Sequence, residues 1–169
     1  MLDRDTLIIR LAHAYHNLLL TLSPDLISND DILLGIKEGL NKFLSNLAIK
    51  LNGKYNIDSA DYISCEALAQ IKRGDKTDLV YEHMIPKELY IQGPCLNAAL
   101  SGKCLSYQQI YDLLNKYWFI AIITKAEDIC LNLAGLRRKM PDDWDKQNIF
   151  ARYNAVKIHL HKTKKETQH

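Results

Sequence analysis

The spacing of apolar residues changes once along the chain, and this change limits the folds that are open to it. Up to Gly74, apolar residues recur every three or four positions, which is the spacing of amphipathic helices. After Asp75 they occur in short runs, and the run at 117–123 is rich in aromatic and β-branched residues. The pattern predicts an α+β fold, mainly helical, in which three N-terminal helices precede a short two-stranded ribbon embedded among helices.

Helix start and stop signals divide the first part of the chain into three helices. We expect the first to run to about Leu22, the second to end at Gly53 and the third to cover about 58–73. Residues that favour helix N-caps precede the first two helices: Asp3 or Asp5, and Ser28 or Asn29. Ser23-Pro24 separates these two helices, because proline cannot continue the backbone hydrogen bonds of a helix.

The second part of the chain is expected to alternate short strands with capped helices. The predicted elements are a strand at 78–86, a helix from Ser106 to about Lys116, a strand at 117–123, a helix from Thr124 to Gly135 and a helix at about 148–161. Capping boxes mark two of the helix starts: Ser106 with Gln109, and Thr124 with Glu127. Turns are expected between the first strand and the first of these helices, at Gly93-Pro94 and Ser101-Gly102.

The composition is typical of a single globular domain. Of the 169 residues, 47% are hydrophobic and 25% are charged, with a formal net charge of +2. We expect one domain over 1–161 and a frayed polar tail over 162–169. The longest apolar run, at 117–123, is too short to span a membrane, and the acidic first residues are unlike a signal peptide. We therefore expect a cytoplasmic protein with no membrane association and reduced cysteines.

The segment at 81–86 carries the most informative polar residues of the chain. Glu82 directly precedes His83 at the predicted end of a strand. A carboxylate can hold a divalent metal, and an imidazole can take a proton from water near neutral pH. A second strand and a capped helix follow. On that helix Asp128 and Asn132 are four positions apart and therefore share one face.

This strand–strand–helix order, with an acidic residue and a histidine shortly before a proline, resembles the HNH, or ββα-metal, nucleases. The resemblance implies that His83 is the general base and that Glu82 is a metal ligand. It also implies a structural role for Asn97, as the middle asparagine of the pattern, and a helix ligand at Asp128 or Asn132. The implied cofactor is Mg²⁺ or a similar divalent ion.

The same residues also have a purely structural interpretation. His83 would then be a partly buried histidine bonded to a backbone carbonyl, and Asp128 a carboxylate stabilised by the N-terminal end of the helix dipole. A regular strand points neighbouring residues to opposite faces. Glu82 and His83 would therefore meet one ion only at a local bend.

A basic cluster, Arg137-Arg138-Lys139, follows the helix that carries Asp128. One interpretation is local, because cations favour the C-terminal end of a helix. The other is that the cluster binds the phosphates of a nucleic acid beside the predicted metal.

Two further patterns suggest other kinds of site, a ribonuclease motif and a histidine metal site. Arg10 with His16, and Arg152 with His159, resemble the Arg-x(4–6)-His motif of the HEPN ribonucleases. His13 and His16 are three positions apart on the first helix, a spacing that can bind a metal together with further ligands. The alternative for the two histidines is a polar edge beside the apolar face of that helix.

As a whole, the sequence predicts a metal-dependent nuclease of the HNH type, acting on DNA or RNA in bacterial defence or in mobile-element biology. The alternative is a non-enzymatic protein-binding factor, such as an immunity, antitoxin or anti-defence protein. Its binding surface would include helical faces and the acidic loop around Trp144.

Overall fold

The computed structural model describes residues 2–22, 29–53 and 57–163, and in them the chain is α+β and mainly helical. The helices are α1 (Arg4–Leu20), α2 (Asp30–Asn52), α3 (Cys65–Lys72), α4 (Gly93–Leu100), α5 (Tyr107–Tyr117), α6 (Lys125–Leu133) and α7 (Ala151–Ala155). The strands are β1 (Tyr62–Ser64), β2 (Leu79–His83), β3 (Ile120–Thr124) and β4 (Leu160–Lys162).

These elements belong to two compact units. Unit 1 comprises Met1–Lys54 and Lys87–Tyr117, and unit 2 comprises Tyr55–Pro86 and Trp118–His169. Unit 1 therefore holds α1, α2, α4 and α5, and unit 2 holds the four strands together with α3, α6 and α7. The single domain expected over 1–161 stays a prediction.

Helix α1 begins where the sequence predicts. Asp3 is its N-cap and accepts a hydrogen bond from the backbone N–H of Thr6 at 2.8 Å, which satisfies one of the free amides of the first turn. Thr21 ends the helix and donates its backbone N–H to carbonyls of the last turn. The predicted stop at Ser23-Pro24 lies outside the described residues.

Helix α2 also has its predicted ends. The Asn29 side chain accepts hydrogen bonds from the backbone N–H groups of Asp31 and Ile32 at 2.9 and 3.1 Å. Gly53 ends the helix with φ of 83°, a left-handed conformation that glycine adopts without steric cost. Ser28, the alternative cap, lies outside the described residues. Neither α2 nor any other helix of the described ranges is long and apolar enough to cross a membrane.

Unit 1 is built around α1. This helix packs against α2, α4 and α5, and its side chains Ile8, Leu11 and Tyr15 are fully buried. Leu40 and Leu44 are the buried apolar residues contributed by α2. The core of unit 1 thus consists of helix–helix contacts, as the apolar spacing predicts.

The turn predicted at Gly93-Pro94 is wrong, because a helical segment occupies this part of unit 1. A π-helical turn, Glu88–Gln92, leads directly into α4, and Pro94 lies in the first turn of α4, where its missing N–H breaks no hydrogen bond. Gly93 donates its N–H to the carbonyl of Glu88, and a Cβ on Gly93 would lie 3.0 Å from that oxygen. Glycine and proline here accompany a change of helix type.

The third predicted helix, at 58–73, is wrong in its first half. Ile57–Ser59 form a 3₁₀ turn, β1 follows, and the helix begins only at Cys65. Strand β1 pairs in parallel with β3 and antiparallel with β4, and both partners lie far along the chain. Helical spacing is a local signal and carries no information on such partners.

The predicted two-stranded ribbon is wrong in extent, because its strands belong to a larger sheet. The four strands of the described residues lie in the order β2-β3-β1-β4, in which β1 and β3 are parallel and the other neighbours antiparallel. Strand β2 lies within the strand predicted at 78–86. Strand β3 begins later than predicted, because Tyr117 is the last residue of α5.

The helix predicted at about 148–161 is shorter than expected. After α7, Lys157 has φ of 59°, a left-handed conformation that interrupts a helix of L-residues. The chain then enters β4. Of the expected tail, Lys162 is the last residue of β4 and Thr163 is buried, whereas 164–169 lie outside the described residues.

Both predicted capping boxes are present. Ser106 donates its N–H to Gln109 Oε1 at 2.9 Å, and Gln109 donates its N–H to Ser106 Oγ at 3.3 Å. At α6, Thr124 donates its N–H to Glu127 Oε2 at 2.8 Å, and Glu127 donates its N–H to Thr124 Oγ1 at 3.2 Å. Each box satisfies backbone N–H groups at a helix start that have no partner inside the helix.

Side chains of β2 and β3 alternate between two apolar clusters on opposite faces of the sheet. On one face, Val80 and Ile123 belong to a cluster with residues of α6 and α7. On the other face, Tyr81 and Ile122 belong to a cluster with residues of α3. Consecutive residues of β2 therefore have different surroundings, which matters for the polar residues at its end.

Candidate functional site

The strand–strand–helix order predicted around the acidic–histidine pair is present in unit 2. Strand β2 pairs antiparallel with β3, and the pairing is continuous from Leu79 opposite Thr124 to His83 opposite Ile120. Helix α6 follows β3 directly and contacts both strands. The predicted ligands on β2 and α6 are thus carried by neighbouring elements.

The adjacent residues Glu82 and His83 have separate surroundings. The regular antiparallel register of β2 continues through both residues, so their side chains point to opposite faces of the sheet. The ring of His83 meets the ring of Trp118 edge to face, with 4.6 Å between the centroids. The Glu82 carboxylate contacts α7 instead. The two side chains do not converge at a local bend.

Arg152 is the centre of the polar cluster beside Glu82. Its side chain is fully buried, and Nη2 lies 2.6 Å from Glu82 Oε1. Nη1 donates to the carbonyl of His83 at 2.9 Å, and Nη2 also donates to the carbonyl of Arg137 at 3.4 Å. Arg152 therefore ties the end of β2 to the segment after α6.

The ionisation of Glu82 reflects opposing effects. Burial raises the pKa of the Glu82 carboxyl above its usual value, while the positive charge of Arg152 acts in the opposite direction. The negative charge of Asp128 raises the pKa of Glu82 further, and the charge of Arg137 lowers it. The charge of Asp128 is therefore one of those that act on Glu82.

Asp128 lies in the first turn of α6 and is largely buried. Its Oδ2 accepts a hydrogen bond from Lys125 Nζ at 2.8 Å, and the ammonium group of Lys125 is more than half exposed. A carboxylate at this position also interacts favourably with the N-terminal end of the helix dipole. Asp128 is thus a charged group held at the surface of the cluster by an exposed cation.

Tyr153 brings a buried hydroxyl group to the same cluster. Its side chain is fully buried, and the described residues provide no hydrogen-bond partner for its Oη. Burial raises the pKa of Tyr153, and the negative charges of Glu82, Glu127 and Asp128 add to this increase. An orphaned hydroxyl beside two carboxylates favours a polar occupant, such as water or a hydrated ion.

Glu82 and Asp128 are the candidate ligands for a divalent ion. The described residues contain no group of three or more His, Cys, Asp or Glu side chains placed to hold a metal. Mg²⁺ keeps several of its waters and is commonly bound by one or two carboxylates together with substrate phosphates. Glu82 and Asp128 supply such a pair of carboxylates, and each already has a cationic partner.

The two asparagines predicted for the site are both exposed. Asn132 lies on α6 one turn after Asp128, and its carbonyl accepts the N–H of Gly135. Asn97 lies on α4, in unit 1, and its carbonyl accepts the N–H of Ser101. Both residues are therefore accessible to solvent, and their roles in the site stay predictions.

The basic cluster at 137–139 is exposed along its whole length. Arg137 contributes its charge to the surroundings of Glu82, as described above. Lys139 Nζ lies 3.0 Å from Asp142 Oδ1, and Asp142 is almost fully exposed. The cluster therefore offers solvent-facing cations, and the charge of Arg137 acts on Glu82.

Members of the HEPN-like pairs and of the paired histidines have other partners or are exposed. Arg152 forms an ion pair with Glu82, and His159 is an exposed residue between α7 and β4. The ring of His13 stacks on Tyr107, with 4.2 Å between the ring centroids.

Sequence reasoning missed the central role of Arg152. The signal that could have found it is a single arginine in an otherwise apolar segment around Phe150 and Tyr153, since a charge in such a segment must be paired when it is buried. It also missed that Glu127 has a partner beyond its capping box. Ser64 Oγ donates to Glu127 Oε2 at 2.6 Å, which links the end of β1 to α6.

Comparison of the chain with protein-family models, with curated proteins and with solved structures found no match.

Proposed function

We propose that this chain is a metal-dependent nuclease of the HNH type that acts on DNA or RNA, with its site at Glu82 and Asp128. The observation that supports the proposal is the strand–strand–helix unit of β2, β3 and α6, because its neighbouring elements carry these two carboxylates. The orphaned hydroxyl of Tyr153 and the exposed cations at 137–139 support the same location.

Each group has a defined task in this proposal. Glu82 and Asp128 would hold a hydrated Mg²⁺, which stabilises negative charge on the phosphate and on the leaving oxygen. Arg152 orients the Glu82 carboxylate through their 2.6 Å contact. Arg137 and Arg138 bind the phosphates that flank the scissile bond.

His83 is assigned as the general base, and this assignment is separable from the carboxylate site. Its backbone carbonyl is held by Arg152, but its ring lies against Trp118 on the other face of β2. Water activation by His83 therefore requires the end of β2 to turn when substrate binds. A base role and a packing role predict different results for a substitution at this residue.

The test is cleavage of plasmid DNA and of a structured RNA by the full chain with Mg²⁺, with Mn²⁺ and with EDTA. Glu82→Gln and Asp128→Asn should abolish metal-dependent cleavage, because each removes one charged ligand. Glu66→Gln is the matched control, since Glu66 is an exposed carboxylate in the first turn of α3. Absence of metal-dependent cleavage in the wild type, or equal cleavage by Asp128→Asn and Glu66→Gln, would contradict the proposal.

His83→Ala is measured in the same assay. If His83 is the base, the variant loses cleavage at neutral pH but keeps its affinity for the duplex. Full cleavage by His83→Ala would show that the residue only packs against Trp118. The carboxylate site is then tested by Glu82→Gln and Asp128→Asn alone.

A second candidate function, a protein-binding factor of the immunity, antitoxin or anti-defence kind, has its own supporting observation. Ile129 and Leu133 lie one turn apart on α6 and are 47% and 82% exposed. Apolar side chains this exposed on one helix face are typical of protein-binding surfaces. Under this function the wild type has no nuclease activity, and a Leu133→Ser variant loses the partner while keeping its melting temperature.

A further inference from the structure

Cys65 and His161 form a close pair at the β4 edge of the sheet in unit 2, opposite the edge formed by β2. The distance between Cys65 Sγ and His161 Nε2 is 3.0 Å. Both residues are exposed. A sulfur and an imidazole nitrogen at this distance can exchange a proton.

The backbone fixes this pair through the pairing of β1 with β4. Ile63 lies opposite His161, and Ser64 lies opposite Leu160. Cys65 continues the pairing by donating its N–H to the carbonyl of His159 at 3.1 Å. The contact between the two side chains is therefore set by the register of the sheet edge.

Cys65 is also the first residue of α3, an eight-residue helix. Ser64 caps this helix and accepts the N–H of Ala67 at 3.0 Å. The N-terminal end of a helix stabilises negative charge, and thiolates placed there beside an imidazole are the reactive form of cysteine. The local structure thus places the Cys65 thiol at a helix start and beside an imidazole.

A cavity of about 470 Å³ adjoins the pair. Both side chains line it, together with the apolar residues Phe150, Ile158 and Leu160 and the polar residues Asn154 and His159. Cavities of this volume accept small organic molecules. The lining favours a reagent that carries an apolar substituent next to its reactive atom.

We propose that Cys65 and His161 form a reactive thiol–imidazole pair at which Cys65 is oxidised by organic hydroperoxides that enter this cavity. His161 takes the thiol proton, and the thiolate attacks the terminal oxygen of the hydroperoxide. The S–O bond forms as the O–O bond breaks, and two electrons pass from sulfur to the peroxide. His161 returns the proton to the departing alkoxide, so the products are a sulfenic acid on Cys65 and an alcohol.

Cys130 provides an internal control for this proposal. It is a free and exposed cysteine of the same unit, as Cys65 is, but it lies late in α6. The full chain is treated with cumene hydroperoxide at neutral pH in the presence of dimedone, and labelling of each cysteine is followed by peptide mass spectrometry. We expect Cys65 to be labelled at least about tenfold faster than Cys130. Equal rates at the two cysteines in the wild type overturn the proposal without recourse to any variant.

Two variants test the role of the imidazole. His161→Gln keeps a polar side chain that cannot exchange the proton, and it should lower the labelling rate of Cys65 to that of Cys130. Lys162→Gln is the matched control on the same strand and should leave the rate of Cys65 unchanged. An unchanged rate in a folded His161→Gln protein, checked by its melting temperature, contradicts the pairing of Cys65 with His161.

Hydrogen peroxide separates the contribution of the cavity from that of the pair. The preference for cumene hydroperoxide over hydrogen peroxide should be larger at Cys65 than at Cys130, because only Cys65 adjoins the apolar lining. The same preference at both cysteines would contradict the assignment of organic hydroperoxides as the reagent.

Discussion

Arg152 Nη2 and Glu82 Oε1 lie 2.6 Å apart, although the two residues are separated by seventy positions in the sequence. The arginine side chain is fully buried, whereas the glutamate side chain retains one fifth of its exposure. This ion pair joins α7 to the end of β2, which is the strand end that carries the proposed site.

We expect a substitution of one member of the pair to lower the free energy of unfolding more than a substitution of both members by apolar residues. Arg152→Met leaves the Glu82 carboxylate without its cation, and Glu82→Ala leaves a buried guanidinium. Each variant should lower the free energy of unfolding by about 3–5 kcal/mol. Urea unfolding followed by circular dichroism measures the change.

The matched experiment is the double variant Glu82→Leu with Arg152→Met. Because no charge then stays buried without a partner, the double variant should be more stable than either single variant. If the two single effects simply add in the double variant, the two residues are not energetically coupled.

Glu127 offers a second stability prediction. Its Oε2 accepts the N–H of Thr124 at 2.8 Å, the hydroxyl of Thr124 at 3.0 Å and the hydroxyl of Ser64 at 2.6 Å. Glu127→Ala removes all three bonds at once and should cost about 2 kcal/mol, more than the roughly 1 kcal/mol typical of losing one cap. Glu66→Ala, at an exposed first-turn position of α3, is the control. An equal loss in both variants would contradict a stabilising role for the three bonds of Glu127.

The parts of the fold that sequence reasoning could predict are those with local causes. Asp3, Asn29 and Thr124 each bond to amides within three residues, and such caps can be recognised from the neighbouring letters alone. Strand β2 could also be predicted from the sequence, because it is a short apolar run that ends before Pro86. The elements with such local signals are α1 and α2 of unit 1, and β2 and α6 of unit 2.

The missed parts depend on partners that are distant in sequence. Strands β1 and β4 have three residues each, too few for a period-two pattern, and they exist as strands because they pair with each other and β1 pairs with β3. The candidate site follows the same division. Glu82 and Asp128 were proposed as ligands from a local motif, whereas the pairing of Arg152 with Glu82 spans seventy positions.

The basic cluster at 137–139 separates the two proposed functions. If it binds phosphates, replacing Arg137, Arg138 and Lys139 by Gln should weaken binding of a short duplex and flatten its salt dependence. Each lost phosphate contact should change the slope of log affinity against log salt by about 0.9 on duplex DNA. Binding is measured by fluorescence anisotropy at several salt concentrations.

A triple variant of other exposed cations is the control for this experiment. Lys72, Arg73 and Lys76 are exposed in the same unit and follow α3 or end it. Their replacement by Gln changes the net charge equally but should leave the slope closer to that of the wild type. Equal slopes for the two triple variants would assign the effect to overall charge and would remove the cluster from the site.

The buried ammonium of Lys87 should make the stability of unit 1 increase with pH in the alkaline range. Burial lowers the pKa of its ammonium to about 8, although the neighbouring Glu88 acts in the opposite direction, and Nζ donates to Asn41 Oδ1 at 2.9 Å. The unfolded chain therefore binds more protons at this residue between about pH 8 and pH 10.5, so the free energy of unfolding rises with pH in that window.

Relative to Lys87→Met, the free energy of unfolding of the wild type should increase by about 2 kcal/mol between pH 7 and pH 10. Titration of buried groups present in both proteins, such as Cys95 with its pKa raised to about 12 by burial, cancels in this difference. Urea unfolding of both proteins at a series of pH values measures it, and parallel curves would mean that burial does not shift the titration of Lys87.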